Sequence, residues 1–300
     1  MLAALLLCQS VFQSWATAVV TVGTTYFLLA VLLPRKSQWA LAVAALAAVV
    51  VLTPPAGPLW FMERGWALLV AGWFVALTLR WPDASFAHRG IGAVTGATSI
   101  AALIFLQRPA DWRVVEGFVA RRLEVLRAAV ESVVGQQSAD PSTVAFMNTV
   151  IQRTLEIEKA VFPGLLVVGS LAALAVGWWL YVRIALKRTD GLGALAQFRF
   201  HDGLVWMLVG AMAILLAWPG GAAARMGWNA LLVVGSLYAL RGAAVVAFVL
   251  GGMSVLNVLL VALAMLVLPA FILSFALVIG LSDTWLDLRK RASAIQESGD

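Results

Sequence analysis

The chain has 300 residues, 62% of them hydrophobic and only 12% charged. That is about half the charged share of a soluble domain, too little to cover a water-facing globular surface. Its net charge of +6, from 21 Lys and Arg against 15 Asp and Glu, lies in loops and helix flanks, with no basic stripe of interleaved aromatics, which sets nucleic-acid binding aside.

Apolar runs of about 18 residues or more recur, each long enough to cross a bilayer core. They are continuous rather than alternating, so helices are expected and a barrel is not. The first region, Leu2 to Leu33, exceeds one upright helix and is expected to be tilted, broken near Gln9–Ser14 or preceded by a half-helix. Its start lacks a basic n-region, so no cleaved signal is expected, and Cys8 reads as a buried apolar cysteine. A second span runs from Gln38 to Thr53 and stops at Pro54-Pro55, a third from Leu59 to Trp81, and a fourth from Gly90 to Leu106.

Residues 108–160 change in character. Val115, Val119, Leu123, Leu126, Val130 and Val133 recur on one helical face. A break follows at Gly135–Asp140, then Asp140-Pro141 as an N-cap and first-turn proline. A second amphipathic stretch carries Val144, Met147, Ile151 and Leu155 or Glu158. These read as a helical hairpin outside the hydrocarbon or along its surface. Spans resume at Phe162-Pro163 and run to Ala185. After a polar loop from Lys187 to Asp202 come Gly203–Trp218, Met226–Leu250 and Ser254–Leu281, the last with a kink expected at Pro269. The expected fold is therefore all-α, a polytopic transmembrane bundle of about eight spans. Its parts are N-terminal spans over 1–107, the hairpin over 108–160, C-terminal spans over 161–290 and a polar tail over 291–300. By counting spans, Arg35, Lys36, Arg80, Arg89, Lys187 and Arg188 fall on one side, and the hairpin with Arg289-Lys290-Arg291 on the other.

Charged and polar groups inside apolar runs are the functional candidates, because burying one costs several kcal/mol unless it is paired or snorkels. Arg241 lies well inside a span that Asn229 begins and that also holds Tyr238, and Glu63 and Arg64 sit a turn into the third span. Asn229, Arg241, Glu63 and Tyr238 are the candidate ligand residues. The alternative is structural, with Arg241 snorkelling or binding backbone carbonyls. Asp283, Asp287 and Arg291 follow at i, i+4 and i+8, a salt-bridged exit beside Trp285. Small residues at four-residue spacing mark helix-packing faces: Ala40, Ala44 and Ala48; Gly92 and Gly96; Gly169, Ala173 and Gly177. His88 and His201 stand far apart and cannot supply a zinc site, the single cysteine excludes an intrachain disulfide, and no cofactor motif is visible. No nucleophile elbow, metalloprotease helix or phosphate loop occurs, so no catalytic residue is assigned and an enzyme is not expected.

The C-terminal half carries a further pattern. It comprises Phe162-Pro163, Tyr181, the basic exit Arg183–Arg188, Phe198-Arg199-Phe200-His201-Asp202, Val205-Trp206, Asn229, Leu237–Gly242 and Gly280–Arg289. In order and spacing these resemble the YybS-like family of predicted bacterial membrane proteins, a domain of unknown function. That family is distantly similar to the substrate-binding subunits of energy-coupling-factor vitamin transporters and to the rod-shape protein MreD. The resemblance implies a compact helical bundle in the cytoplasmic (inner) membrane, both termini cytoplasmic, and docking on other membrane subunits through Ala-x-x-x-Ala-type faces. Two functions stay open: a transport-type subunit that binds a small molecule, and a non-catalytic scaffold for envelope or cell-shape proteins. Intramembrane chemistry is a third.

Overall fold

The computed structural model describes residues 15–52, 60–108, 110, 112–121, 124, 127–128, 141–188, 198–250, 260–261, 263–264 and 267–292. The chain divides between Arg188 and Thr189 into two compact units. This division is not at the 160/161 boundary that hydropathy suggests.

The first unit contains α1 (Trp15–Leu32), α2 (Trp39–Val51), α3 (Trp60–Arg80), α4 (Phe86–Gln107) and α5 (Pro141–Leu180), the last continuing as one π turn over Tyr181–Ala185. Helix α1 is central and packs on α2, α3 and α5, while α4 packs on α3 and α5. The inner faces close around Tyr26, Leu29, Val70, Phe74, Leu174, Trp178 and Tyr181. Outer faces are equally apolar: Leu41, Leu46 and Val49 on α2, Leu68 and Leu79 on α3, and Leu103 and Ile104 on α4 are exposed. Only 22% of the apolar window of Phe86–Gln107 is buried within the protein. Such helices would aggregate in water and are stable in lipid.

Among the described residues, Trp60–Arg80, Phe86–Gln107, Asn148–Ala185 and Gly221–Val249 are long and apolar enough to cross a membrane, and shorter apolar helices accompany them. Several hydroxyls satisfy themselves locally within their own helix. Thr21, Thr24, Thr78 and Ser170 each donate to the carbonyl four residues back. Helix α2 has 13 residues, or about 20 Å, against a hydrocarbon core of about 30 Å.

Helix α5 departs from expectation. It runs through residue 160 and Pro163 without ending, over 40 residues, about 60 Å. Proline removes one i→i−4 hydrogen bond, and the unbroken turns on either side hold the helix through it. Its start at Pro141 agrees with the proposed first-turn proline. Residues 112–121 are helical with Val115 and Val119 buried. Side chains 123, 126, 130, 133, 144 and 147 of the expected amphipathic faces, the break at 135–140 and the possible break at 9–14 lie outside the described residues.

The second unit contains α6 (Leu204–Ala217), α7 (Gly221–Val249) and α8 (Pro269–Leu286). Gly221 has φ +72°, a left-handed turn that a side chain would strain, and it lets α6 fold back on α7. Leu268 leaves helical dihedrals and Pro269 opens α8 as its first residue. The expected kink is thus an interruption and restart. Helices α7 and α8 touch backbone to backbone: a β-carbon built on Gly242 lands on the Ala276 carbonyl oxygen and 2.9 Å from the Gly280 nitrogen. One built on Gly280 lands on the Tyr238 carbonyl oxygen. As residue number rises along α7, its partner number falls along α8, so the pair is antiparallel.

Candidate functional site

The Gly242–Gly280 crossing fixes what lies beside it. Arg241 precedes Gly242, and Asp283 stands three residues after Gly280, so the two charges meet inside the pair of helices. Arg241 Nε donates to Asp283 Oδ2 at 2.9 Å, and both side chains are 0% exposed. Arg241 Nη1 donates to Asp202 Oδ1 at 2.5 Å, and the Asp202 side chain is 58% exposed. The Phe200 ring lies over the guanidinium at 5.4 Å and meets the Tyr238 ring edge-on at 5.1 Å. Arg289 Nη2 donates to the Phe198 carbonyl at 2.9 Å and stands 3.6 Å from Asp283 Oδ2. Two aromatic residues and Asp202 of the Phe198–Asp202 segment thus lie against a cationic and an anionic side chain from two apolar helices.

Three polar atoms in this cluster are buried without a hydrogen-bond partner: Arg241 Nη2, Asp283 Oδ1 and the Tyr238 hydroxyl. Each such atom costs about 1–3 kcal/mol when left dry, and the cost is high where the dielectric is low. Arg241 Nη2, Asp283 Oδ1 and the Tyr238 hydroxyl make a set of unfilled donors and acceptors that a small polar molecule would complete.

Outside the cluster, the chain turns sharply. Asp287 adopts left-handed dihedrals, φ 44° and ψ 53°, and ends α8. Its carboxylate accepts from Arg199 Nη2 at 2.7 Å and stands 3.4 Å from Lys290 Nζ. The Arg199 hydrogen bond, with Lys290 adding to it, holds the Asp287 carboxyl below the usual carboxylate range.

The sequence candidates fare differently. Arg241 and Tyr238 come together, three residues apart on one face of α7. Arg241 neither snorkels nor binds backbone carbonyls; it pairs with two carboxylates. Asn229 does not join them: it lies twelve residues earlier, about 18 Å along the helix, half-buried, and donates to the Arg225 carbonyl at 2.7 Å. Glu63 belongs to the first unit, where Thr17 donates to it at 3.3 Å. Its neighbour Arg64 donates from Nε to the Val51 carbonyl at 2.5 Å and lies over Trp60, a cation at the C-terminal end of α2. The proposed Asp283, Asp287 and Arg291 face is broken at Asp287, because left-handed dihedrals redirect the chain there. Asp283 faces inward to Arg241, and Arg289 rather than Arg291 approaches it.

The C-terminal basic segment was expected opposite the polar loop that ends at Asp202. It instead lies against the end of that loop, through Arg199–Asp287 and Arg289–Phe198.

The packing faces also resolve. Ala40 and Ala44 are buried and Ala48 half-buried, and the Ala40 carbonyl accepts from Tyr26 of α1 at 3.2 Å. That face is internal. Gly92 and Gly96 sit against Leu77 and Trp73 of α3, and Gly177 against Thr25 of α1, while nothing approaches the place of a β-carbon on Gly169. Ala173 is buried. The tightest crossing, Gly242 with Gly280, includes Ala276 four residues before Gly280, a small-residue pair outside the three faces read from sequence. Arg89, read from sequence as a loop cation, is buried in the first turn of α4 with its guanidinium 4.5 Å from the Trp178 ring centre.

These helices, apolar inside and out, with a charged pair enclosed in the second unit, define an α-helical integral membrane protein. The chain belongs to the family described as Predicted membrane protein (DUF2232), whose model matches residues 1–284. No curated protein and no solved structure matches it.

Proposed function

We propose that this protein is a small-molecule-binding subunit of a membrane transport system, set in the cytoplasmic membrane, and that its second unit holds the solute at Arg241. The observation that carries this reading is the group of buried, unfilled polar atoms around a wholly buried guanidinium in an apolar helix. A purely structural ion pair is expected to fill its own donors and acceptors; a binding site keeps some for its ligand. The resemblance to energy-coupling-factor binding components agrees with this reading. Catalysis is no part of it.

The first unit supports an orientation. Trp66 pairs with Ser170, and Phe74 with Trp178, in the same order along α3 and α5, and Thr17 pairs with Glu63 near the starts of α1 and α3. These helices run parallel. Arg35, Lys36, Arg80, Arg89, Arg183, Lys187 and Arg188 therefore gather at one end, with Asp83 the acid among them. The positive-inside rule makes that end cytoplasmic.

Thermal-shift screening of the purified protein in detergent against vitamins and metabolites tests the reading. Some solute raises the melting temperature of the wild type and fails to raise that of Arg241→Ala. Identical responses of the two proteins to every solute would refute it.

A second reading is a scaffold, favoured by the length of α5. About 60 Å of helix is twice the hydrocarbon thickness, so the turns near Pro141 project beyond lipid and carry exposed Phe146 and Ile157. In-cell crosslinking that captures specific membrane or envelope proteins, and loses them in Phe146→Ser/Ile157→Ser, would support it.

A further inference from the structure

The pairing of Arg241 says more about the solute than that it is polar. A guanidinium offers three edges. Here Nε is taken by Asp283, Nη1 by one oxygen of Asp202, and Nη2 by nothing, though it is buried. The Nε–Nη2 edge, half used by Asp283, matches the two oxygens of a carboxylate, and so does the Nη1–Nη2 edge. Asp202 uses half of the latter.

The two carboxylates differ in kind. Asp283 is 0% exposed, built into α8 beside the glycine crossing and approached by Arg289 as well as Arg241. It is a fixed counter-ion, since removing it from Arg241 would leave a charge stranded in the helix pair. Asp202 is 58% exposed and belongs to the non-helical segment 198–203 that leads into α6. Its own carboxylate can enter water, and its departure leaves the buried Nη1 bare, at the cost of a dry donor, which an incoming acceptor recovers. With Asp202 gone, Arg241, Arg289 and Asp283 leave the site with one net positive charge. It then lacks one negative charge and has an open two-nitrogen edge. The Phe200 and Tyr238 rings beside it provide an apolar wall, and the Tyr238 hydroxyl is buried without a partner.

We propose that the solute of this site carries a carboxylate, and that Asp202 stands in its place on Arg241 when no solute is bound. The proposal rests on the reading of the Arg241 cluster as a ligand site. Asp202 is a tethered competitor: its effective concentration at Arg241 is of millimolar order or more, and the solute must exceed it. The exchange conserves charge, one carboxylate leaving as another arrives, so the site is neutral before and after it. The advantage of the solute lies in reaching Nη2 as well as Nη1, which Asp202 does not.

Titration calorimetry on the full-length protein in detergent tests this with acetate, succinate and benzoate, their amides, and inorganic phosphate. At least one carboxylate is expected to bind the wild type, its amide is not, and Asp202→Ala binds that carboxylate about tenfold tighter, the scale of removing a tethered competitor. Arg241→Lys, which keeps the charge but loses the two-nitrogen edge, is expected to bind at least about tenfold weaker. Asn229→Ala, outside the cluster, behaves as wild type. Because Asp202 is exposed, its variant folds whatever happens to Arg241→Lys, and it carries the test alone if that variant fails to fold. Amide binding equal to carboxylate binding, preference for phosphate, absence of binding by all three carboxylates, or unchanged affinity in Asp202→Ala overturns the proposal. If uncharged solutes stabilise the wild type and not Arg241→Lys, the binding-subunit reading stands and the carboxylate inference falls. If no solute of any class stabilises the protein, both fall.

Discussion

Arg241 and Asp283 are separated by 42 residues of chain, and neither has a partner at helical spacing that would announce the pair. What sequence does show is that a lone arginine inside an apolar span needs a partner, and the acids nearest to apolar runs in the second unit are Asp202 and Asp283. Both were visible as residues; their convergence was not, because it depends on two glycines letting α7 and α8 approach. Breaking the pair is expected to be costly. Arg241→Ala leaves Asp283 charged and buried, a loss of about 3–5 kcal/mol. Arg241→Ala with Asp283→Ala together is expected to recover much of it, a coupling readable as a double-mutant cycle of unfolding free energies. Additive effects of the two substitutions would contradict the pairing. Asp287 provides a separate check. Arg199 depresses its folded pKa below the unfolded value of about 3.9. The stabilisation is therefore present above about pH 3.9 and is lost as pH falls through the folded value. Melting temperatures of wild type and Asp287→Asn should differ near neutrality and converge on acidification; a constant gap would contradict this.

Helices α7 and α8 show what composition can and cannot mark. Their apolar runs are written in it, but Pro269 reads as a kink within a span from Ser254 to Leu281 and instead opens α8. Their crossing is written in Gly242 and the pair Ala276 and Gly280, which look the same as other small helical residues until the partner is placed. Gly242→Ala puts a β-carbon on the Ala276 carbonyl oxygen, where backbone has to move. Overpacking of this kind costs about 1–3 kcal/mol, and here it also parts Arg241 from Asp283. Gly169→Ala meets open space and is expected to melt within a degree or two of wild type, about 0.5 kcal/mol or less. Comparable destabilisation by both would show that the crossing is misplaced. Helix α5 teaches the opposite lesson: Phe162-Pro163 looked like a beginning because hydropathy changes there, yet a change of solvent along a helix need not end it.

At the scale of the whole molecule, the account is one of apolar helices in lipid with one long helix leaving it. A cysteine in place of Phe146, near the start of α5, should react with a membrane-impermeant maleimide in intact vesicles or after their opening, in a Cys8→Ser background. A cysteine in place of Val176, exposed on the same helix but within its apolar stretch, should react in neither. Equal labelling would contradict the placement of α5. The helical membrane class was legible from residue composition alone, because the hydrophobic requirement of a bilayer is stated residue by residue; of the eight spans expected, four described helices are long and apolar enough to cross and the others are shorter. The division at Arg188 and the enclosed charge cluster were not legible, since both arise from packing. The most direct measurement of the central claim is to identify small molecules released by denaturing protein extracted gently from its own membranes. The account predicts a solute that accompanies the wild type and Asn229→Ala and is missing from Arg241→Ala. The same released molecules from all three proteins, or none from any of them, would contradict it.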